Sequence, residues 1–284
     1  MPIDRKRING PEETVPYNLY TKLNTKSLLQ EFDELFCDGK RADNRAPLEH
    51  RKIFLKTGVV SQAKGSAYIE LGKTKVIVSV FDPREIPNRT DYSLKGEIYC
   101  EFNCTKRRLH QQDAEEKQYS AIMKQALEST VCRHEFPNFQ VDIYALVLHN
   151  DGSPLSAAIT AAGVALSHAG VPMYDLIVSA TLGIQHNVKF LDPSNTEQRL
   201  CDVSISSDGK EDSHGIIVIS MLHTHEQISQ FYQVGNISLE DITESVKVLE
   251  TACKDIVPLV QKHLVKHILK TIKNNEDYVI LVSS

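Results

Sequence analysis

The turn Asn150-Asp151-Gly152, followed by Ser153-Pro154, is where the residue types and spacing of this chain can do chemistry. A helix starting there presents unpaired backbone N–H groups and the positive end of its dipole, which together suit an anion such as phosphate. In most globular proteins the same serine-capped start holds only water, so the turn alone leaves both readings open. The run Lys106-Arg107-Arg108 suits contact with a phosphodiester backbone, or it is an ordinary exposed basic loop. His223-Thr-His225 offers two metal-ligand types with no third ligand, and such a pair at a strand end usually faces solvent. The six cysteines, at positions 37, 100, 104, 132, 201 and 253, form no CxxC pair and read as core thiols rather than disulfides or a zinc site.

The elements that must position the turn lie on either side of it. Residues Phe139 to Leu148 are β-branched and apolar enough for a buried strand. Ser153 can serve as N-cap and Pro154 suits the first helical position, after which Ala157, Ala158, Ala161, Ala162 and Ala165 make a small-residue helix able to lie close to a sheet. Gly170 ends it and Pro172 blocks its continuation. Asp175 to Ile184 then reads as the next strand, turning through His186-Asn187 into Val188 to Leu191.

Strand periods also mark Ile53 and Leu55, then Ala67 to Leu71, a Gly72-Lys73-Thr74 turn, and Val76 to Phe81. Another strand is expected over Glu97 to Phe102. Asp113 is a candidate cap for the next helix, whose apolar residues Tyr119, Ile122, Met123, Ala126, Leu127 and Val131 share a face. Beyond Arg199 to Ile205 come strands over Ile216 to Leu222 and Ile228 to Val234. Ser238 with Asp241 starts a last helix, with Ile242, Val246, Leu249, Cys253, Ile256, Val260, Leu264 and Ile268 three or four residues apart. Lys262, Lys266 and Lys270 form an exposed stripe on it. Near the N-terminus, Ser27 with Gln30 and the spacing of Leu28, Leu29, Phe32, Leu35 and Phe36 predict a short amphipathic helix whose apolar face needs a partner.

The bulk numbers bound the class. A chain of 284 residues with 41% hydrophobic content can bury a sizeable core. A net charge of −5 argues against coating nucleic acid by overall charge, while leaving room for a local basic patch. No apolar run approaches the roughly 20 residues needed to span a membrane. The first residues lack the apolar segment of a secretory signal, so a cytosolic or nuclear location is expected.

Taken in order, several segments resemble the RNase PH family. Lys40-Arg-Ala-Asp-Asn-Arg-Ala-Pro-Leu-Glu-His-Arg-Lys-Ile53 is similar to its opening basic motif, with Asn44 where Gly is usual. Asn tolerates the left-handed conformation better than other non-Gly residues, so that change is mild. Gly65-Ser-Ala-Tyr-Ile-Glu-Leu-Gly-Lys-Thr-Lys-Val76 resembles the family hairpin, Phe81-Asp-Pro-Arg84 its strand end, and Asp151-Gly-Ser153 its phosphate-cradling turn. Met1-Pro-Ile-Asp, Arg7-Ile-Asn-Gly-Pro-Glu-Glu13, Leu19-Tyr20, Ser61-Gln-Ala-Lys-Gly-Ser-Ala-Tyr68 and Met173-Tyr-Asp-Leu176 are similar to one branch, the ring subunits of the eukaryotic RNA exosome core.

The resemblance implies an α+β fold: a single RNase PH-type domain over residues 40–273, with β-sheets and packed helices around a β-α-β core and a long C-terminal helix. Residues 1–39 would be an N-terminal extension holding the short amphipathic helix, and 274–284 a C-terminal tail. Family members form rings of six around a channel and degrade RNA from its 3′ end with phosphate as attacking group. Active members place an Arg directly after the Gly-Ser of the cradle, where this chain has Pro154 after Gly152 and Ser153. They carry an Arg pair where Ala114 and Glu115 stand here. Of two expected acids, one is replaced by Gln198 and Asp202 fits the other.

Losing the cations removes the terms that would stabilise the transition state. The resemblance therefore implies a non-catalytic ring subunit with no cofactor and no metal, acting in RNA processing and decay. Its partners would be other RNase PH-like ring subunits, an RNA-binding cap subunit and single-stranded RNA in the channel, with Lys106, Arg107 and Arg108 as RNA-contact candidates. Nucleus, nucleolus and cytoplasm are the expected locations. The alternative is a phosphorolytic 3′-to-5′ exoribonuclease with residual activity through Asp202.

Overall fold

Period-2 apolar patterning builds two sheets, and one alanine-rich helix fills the space between them. The computed structural model describes residues 41, 43–86, 92–105, 109–185, 188–201 and 213–283. The expected N-terminal helix, Lys106-Arg107-Arg108 and Asp202 lie outside the described residues.

The first sheet has six strands. β1 (Ile53–Thr57), β2 (Gly65–Leu71) and β3 (Thr74–Val80) form an antiparallel meander, and β3 pairs with β6 (Phe139–His149). The short β4 (Arg84–Glu85) pairs antiparallel with β6, and β5 (Glu97–Cys104) pairs parallel with it. The second sheet, of four antiparallel strands, has the order β10 (Gln227–Asn236), β9 (His214–Leu222), β7 (Ile177–Gln185), β8 (Val188–Leu191). β7 is buried at every position, as expected for a strand covered on both faces.

Between the sheets lies α2 (Pro154–Ala169), in contact with β2, β3 and β7. Every residue of α2 except Ser167 and His168 is buried. Its alanines permit this, since small side chains let strands approach the helix backbone. The closest approach needs more than alanine: a Cβ on Gly65 of β2 would lie 2.3 Å from the Ala165 carbonyl oxygen, so only glycine fits there.

α1 (Leu109–Glu128) packs on β5 and β10, and α4 (Leu239–Ser283) covers the outer face of β7 and β9. The start of α1 differs from expectation, because Leu109 to Gln112 contain no helix breaker and the helix begins before Asp113 rather than at it. Residues 195–201 form a short helix, α3 (Asn195–Cys201). α4 continues through the residues read as a tail, since nothing after Pro258 is Pro or Gly.

The start of α4 matches its sequence signature. The Asp241 N–H donates to Ser238 Oγ at 3.2 Å, and the Ser238 hydroxyl donates to Asp241 Oδ2 at 2.8 Å. Ser238→Ala should therefore cost about 1 kcal/mol, measured as a shift in the urea unfolding midpoint.

Candidate functional site

Two buried arginines build the ground on which the Asp151-Gly152-Ser153 turn stands. Arg51 is fixed to Asp192 by two bonds, Nε to Oδ2 at 2.6 Å and Nη2 to Oδ1 at 2.6 Å. Its other donors reach the Asp151 carbonyl at 2.9 Å and the Gly152 carbonyl at 3.1 Å. Arg41 donates through Nε to Glu197 Oε1 at 2.7 Å, through Nη2 to Glu197 Oε2 and the Asp192 carbonyl, and through Nη1 to the Leu191 carbonyl. The Ser194 N–H donates to Glu197 Oε2 at 2.7 Å. Asn44, in the same segment, adopts φ +62°, the left-handed conformation expected where the family resemblance has glycine.

These pairs are neutralised ion pairs. Burial alone would raise the Asp192 carboxyl, yet the Arg51 hydrogen bonds and the charges of His50, Arg51 and Arg45 outweigh it and hold the group at about 2. Burial would likewise raise Glu197, and Arg41 brings it below the usual carboxylate range. Arg51 is thus spent on Asp192 and on the rear of the turn.

The turn presses against the 192–195 segment. Gly152 has φ +95°, and a Cβ there would lie 2.2 Å from the Pro193 carbonyl oxygen, so any other residue would strain both segments. Ser153 is left-handed at φ +54°, and its hydroxyl donates to the Pro193 carbonyl at 3.2 Å. Ser153 therefore occupies the N-cap position of α2 without capping it through its side chain, against expectation. Packing of the turn on Pro193 takes the hydroxyl away. The Ser153 N–H, which could face an anion, donates to Gln198 Oε1 at 3.4 Å.

In front of the turn is a cavity of about 530 Å³, bounded by α1, β5, β9, β10 and the start of α2. Glu115, Ser153, Pro154 and Gln198 all line it. Ala114 and Gly152 do not: Ala114 is exposed one residue earlier on α1, and Gly152 is buried behind the turn. Glu116 is a second carboxylate in the lining, its Oε1 accepting the Cys104 N–H at 2.9 Å. Among the described lining residues there is no Lys, Arg or His.

Phe102, Tyr119 and Tyr232 form an edge-to-face series along the cavity, with ring centroids 5.4 Å and 6.4 Å apart. Burial and the nearby Glu116 and Glu115 push the Cys104 thiol up to about 11, so it is no thiolate nucleophile at neutral pH. His223 and His225 sit in the β9–β10 turn, and no group of three or more metal-ligating side chains occurs among the described residues. No helix among them is long and apolar enough to cross a membrane.

Sequence reasoning missed the roles of Arg41, Arg51, Asp192 and Glu197. The basic opening motif and the acids of Leu191 to Gln198 were both visible, but their pairing was not.

Residues 49–172 match the profile of the 3′ exoribonuclease family, domain 1, named RNase PH. The exosome complex component RRP41-like of Arabidopsis thaliana is 35% identical over 80% of this chain and 84% of its own length. The exosome complex component MTR3 of Homo sapiens is 30% identical over 94% of this chain and 96% of its own. Among solved structures, rice (Oryza sativa) Rrp46 superposes with a TM-score of 0.67 at 24% identity, covering 79% of this chain and all of that one. A chain of the Archaeoglobus fulgidus exosome with RNA bound to the active site gives 0.68 at 20% identity, covering 82% and 98%. The two superpositions establish a common α+β fold, which in this chain comprises mostly antiparallel sheets, packed helices and a long C-terminal helix.

Proposed function

The chain belongs to the RNase PH 3′ exoribonuclease family, and on that premise we propose that it is a non-catalytic ring subunit of an RNA exosome. It scaffolds a six-membered ring with other RNase PH-like subunits, supports an RNA-binding cap subunit and guides single-stranded RNA through the channel. The relatives that are exosome complex components support the ring role.

One observation carries the non-catalytic part. The cavity at the family's phosphate turn holds two carboxylates and, among its described lining residues, no cation. Phosphorolysis must bring an inorganic phosphate beside an anionic phosphodiester, which requires positive charge. At roughly 5 Å and an effective dielectric near 20, each pair of like unit charges costs about 3 kcal/mol. Two glutamates facing a phosphate therefore oppose both binding and reaction. Pro154 supplies no side-chain charge, and Gln198 supplies no acid.

Channel-facing contact is assigned to Lys106, Arg107 and Arg108, and the work of the complex to rRNA processing and mRNA decay in nucleus, nucleolus and cytoplasm. The test is nucleoside diphosphate release from single-stranded RNA with inorganic phosphate, using the full chain alone and in a ring reconstituted with its partner subunits. The chain alone should release none, and Asp202→Ala in this subunit should leave the activity of the ring unchanged. Release by the chain alone, lost on Asp202→Ala, would make it an exoribonuclease.

A further inference from the structure

The lining that repels phosphate at the Asp151-Gly152-Ser153 turn favours a ligand of the opposite charge. Glu115 and Glu116 line the cavity from α1, and among its described lining residues no cation answers them. Besides burial, both charges bear on the Cys104 thiol of the same wall, so the two carboxylates act on one neighbourhood. Carboxylates near a surface are ordinarily satisfied by water, and the pair alone specifies nothing.

A buried polar group in the sheet wall does specify something. Thr181 of β7 is 3% exposed, and its Oγ1 has no hydrogen-bond partner among the described residues. The ladder shows where it points. Thr181 lies opposite Val218 of β9, and Val218 lies opposite Tyr232 of β10. Residues directly opposite in antiparallel strands share a face, and all three line the cavity, so the Thr181 side chain is directed into it. The Ser153 hydroxyl and N–H, by contrast, are already engaged by Pro193 and Gln198. A buried hydroxyl without a partner costs free energy that a bound N–H donor would remove. Much of the remaining wall is apolar, with Phe102, Tyr119, Leu155 and Val234. The volume of about 530 Å³ suits a small molecule. Such walls match methylene groups, which an inorganic cation lacks, and no group of three or more metal-ligating side chains occurs among the described residues.

We infer that this cavity binds a small organic cation of the polyamine class, with one ammonium at Glu115 and Glu116, methylenes along the apolar wall and a second nitrogen donating to Thr181 Oγ1. The inference shares the sign of the lining with the non-catalytic reading, but it needs neither a ring nor RNA. The two fail separately: nucleoside diphosphate release decides the one and cation binding by the chain alone decides the other.

Isothermal titration calorimetry of the full chain with spermidine tests it, and binding should saturate at one spermidine per chain. Glu115→Gln with Glu116→Gln should weaken binding by about tenfold or more, because two unit charges are lost, while the amide oxygen at 116 can still accept the Cys104 N–H. Thr181→Val keeps the shape of the side chain, removes the hydroxyl and should weaken binding by about threefold to tenfold. Glu135→Gln with Asp255→Asn makes the same change in net charge at exposed positions outside the cavity and should leave the affinity unchanged. No saturable binding overturns the inference. So does equal affinity in the cavity and control variants, since an acidic protein gathers polyamines on its surface by net charge alone. Magnesium bound as tightly as spermidine would make this a site for inorganic cations and overturn it too.

Discussion

Arg51→Met should destabilise the protein by about 3–5 kcal/mol, read from the urea midpoint at neutral pH. The Arg51 side chain is 6% exposed and that of Asp192 is 1% exposed, so removing the guanidinium leaves a carboxylate buried with no equal partner. It also removes the Arg51 donors from the Asp151 and Gly152 carbonyls, leaving them to the Asn195 N–H and the Thr74 hydroxyl, and so loosens the turn at the cavity. The loss reflects the stranded charge more than the worth of the pair, so Arg51→Met with Asp192→Leu should recover most of it. The pH dependence has a definite sign. The Asp192 carboxyl is held at about 2, below its ordinary 3.8, so its contribution is complete above about pH 4 and disappears as the pH falls towards 2. The shift corresponds to about 2 kcal/mol, and acid unfolding of the parent over that window should be steeper than that of the double variant. Parent and double variant with the same acid profile would refute the assignment.

Phe102→Ala should cost about 3–5 kcal/mol and is the second large effect. Phe102 is 1% exposed, and its ring joins β5 to Tyr119 of α1, which in turn meets Tyr232 of β10. Truncation opens a void beside an existing cavity, and little can collapse into it because the strands on both sides are held by their ladders. Thermal unfolding measures the loss. A double-mutant cycle with Tyr119→Leu should give a coupling of about 0.5–1.5 kcal/mol for the edge-to-face contact. Zero coupling would mean that the rings contribute area alone.

Much of the architecture could be read from local pattern. The Gly72-Lys73 hairpin turn, the alternation of β3, the capped start of α4 and the alanines of α2 are signals carried within a few residues. The start of α1 could not be placed, because Leu109 to Gln112 carry no signal that distinguishes helix from loop. Nor could the left-handed Ser153, whose hydroxyl is claimed by Pro193, forty residues away. The arginine pairs were the hardest to see, since Arg41 meets Glu197 across 156 residues and Arg51 meets Asp192 across 141. Nothing in either segment alone says which carboxylate an arginine will find. At the site, the residues singled out by resemblance, Glu115, Ser153, Pro154 and Gln198, meet at one cavity, and Glu116 joins them only by geometry.

The placement of α2 governs how the molecule comes apart. Both layers of strands lean on the same sixteen residues, so a fluctuation that frees one layer strips the helix of half its cover and exposes the other layer as well. The two halves are therefore thermodynamically tied, and the slowest-exchanging amides of β2, β3 and β7 should report a single opening free energy in place of two.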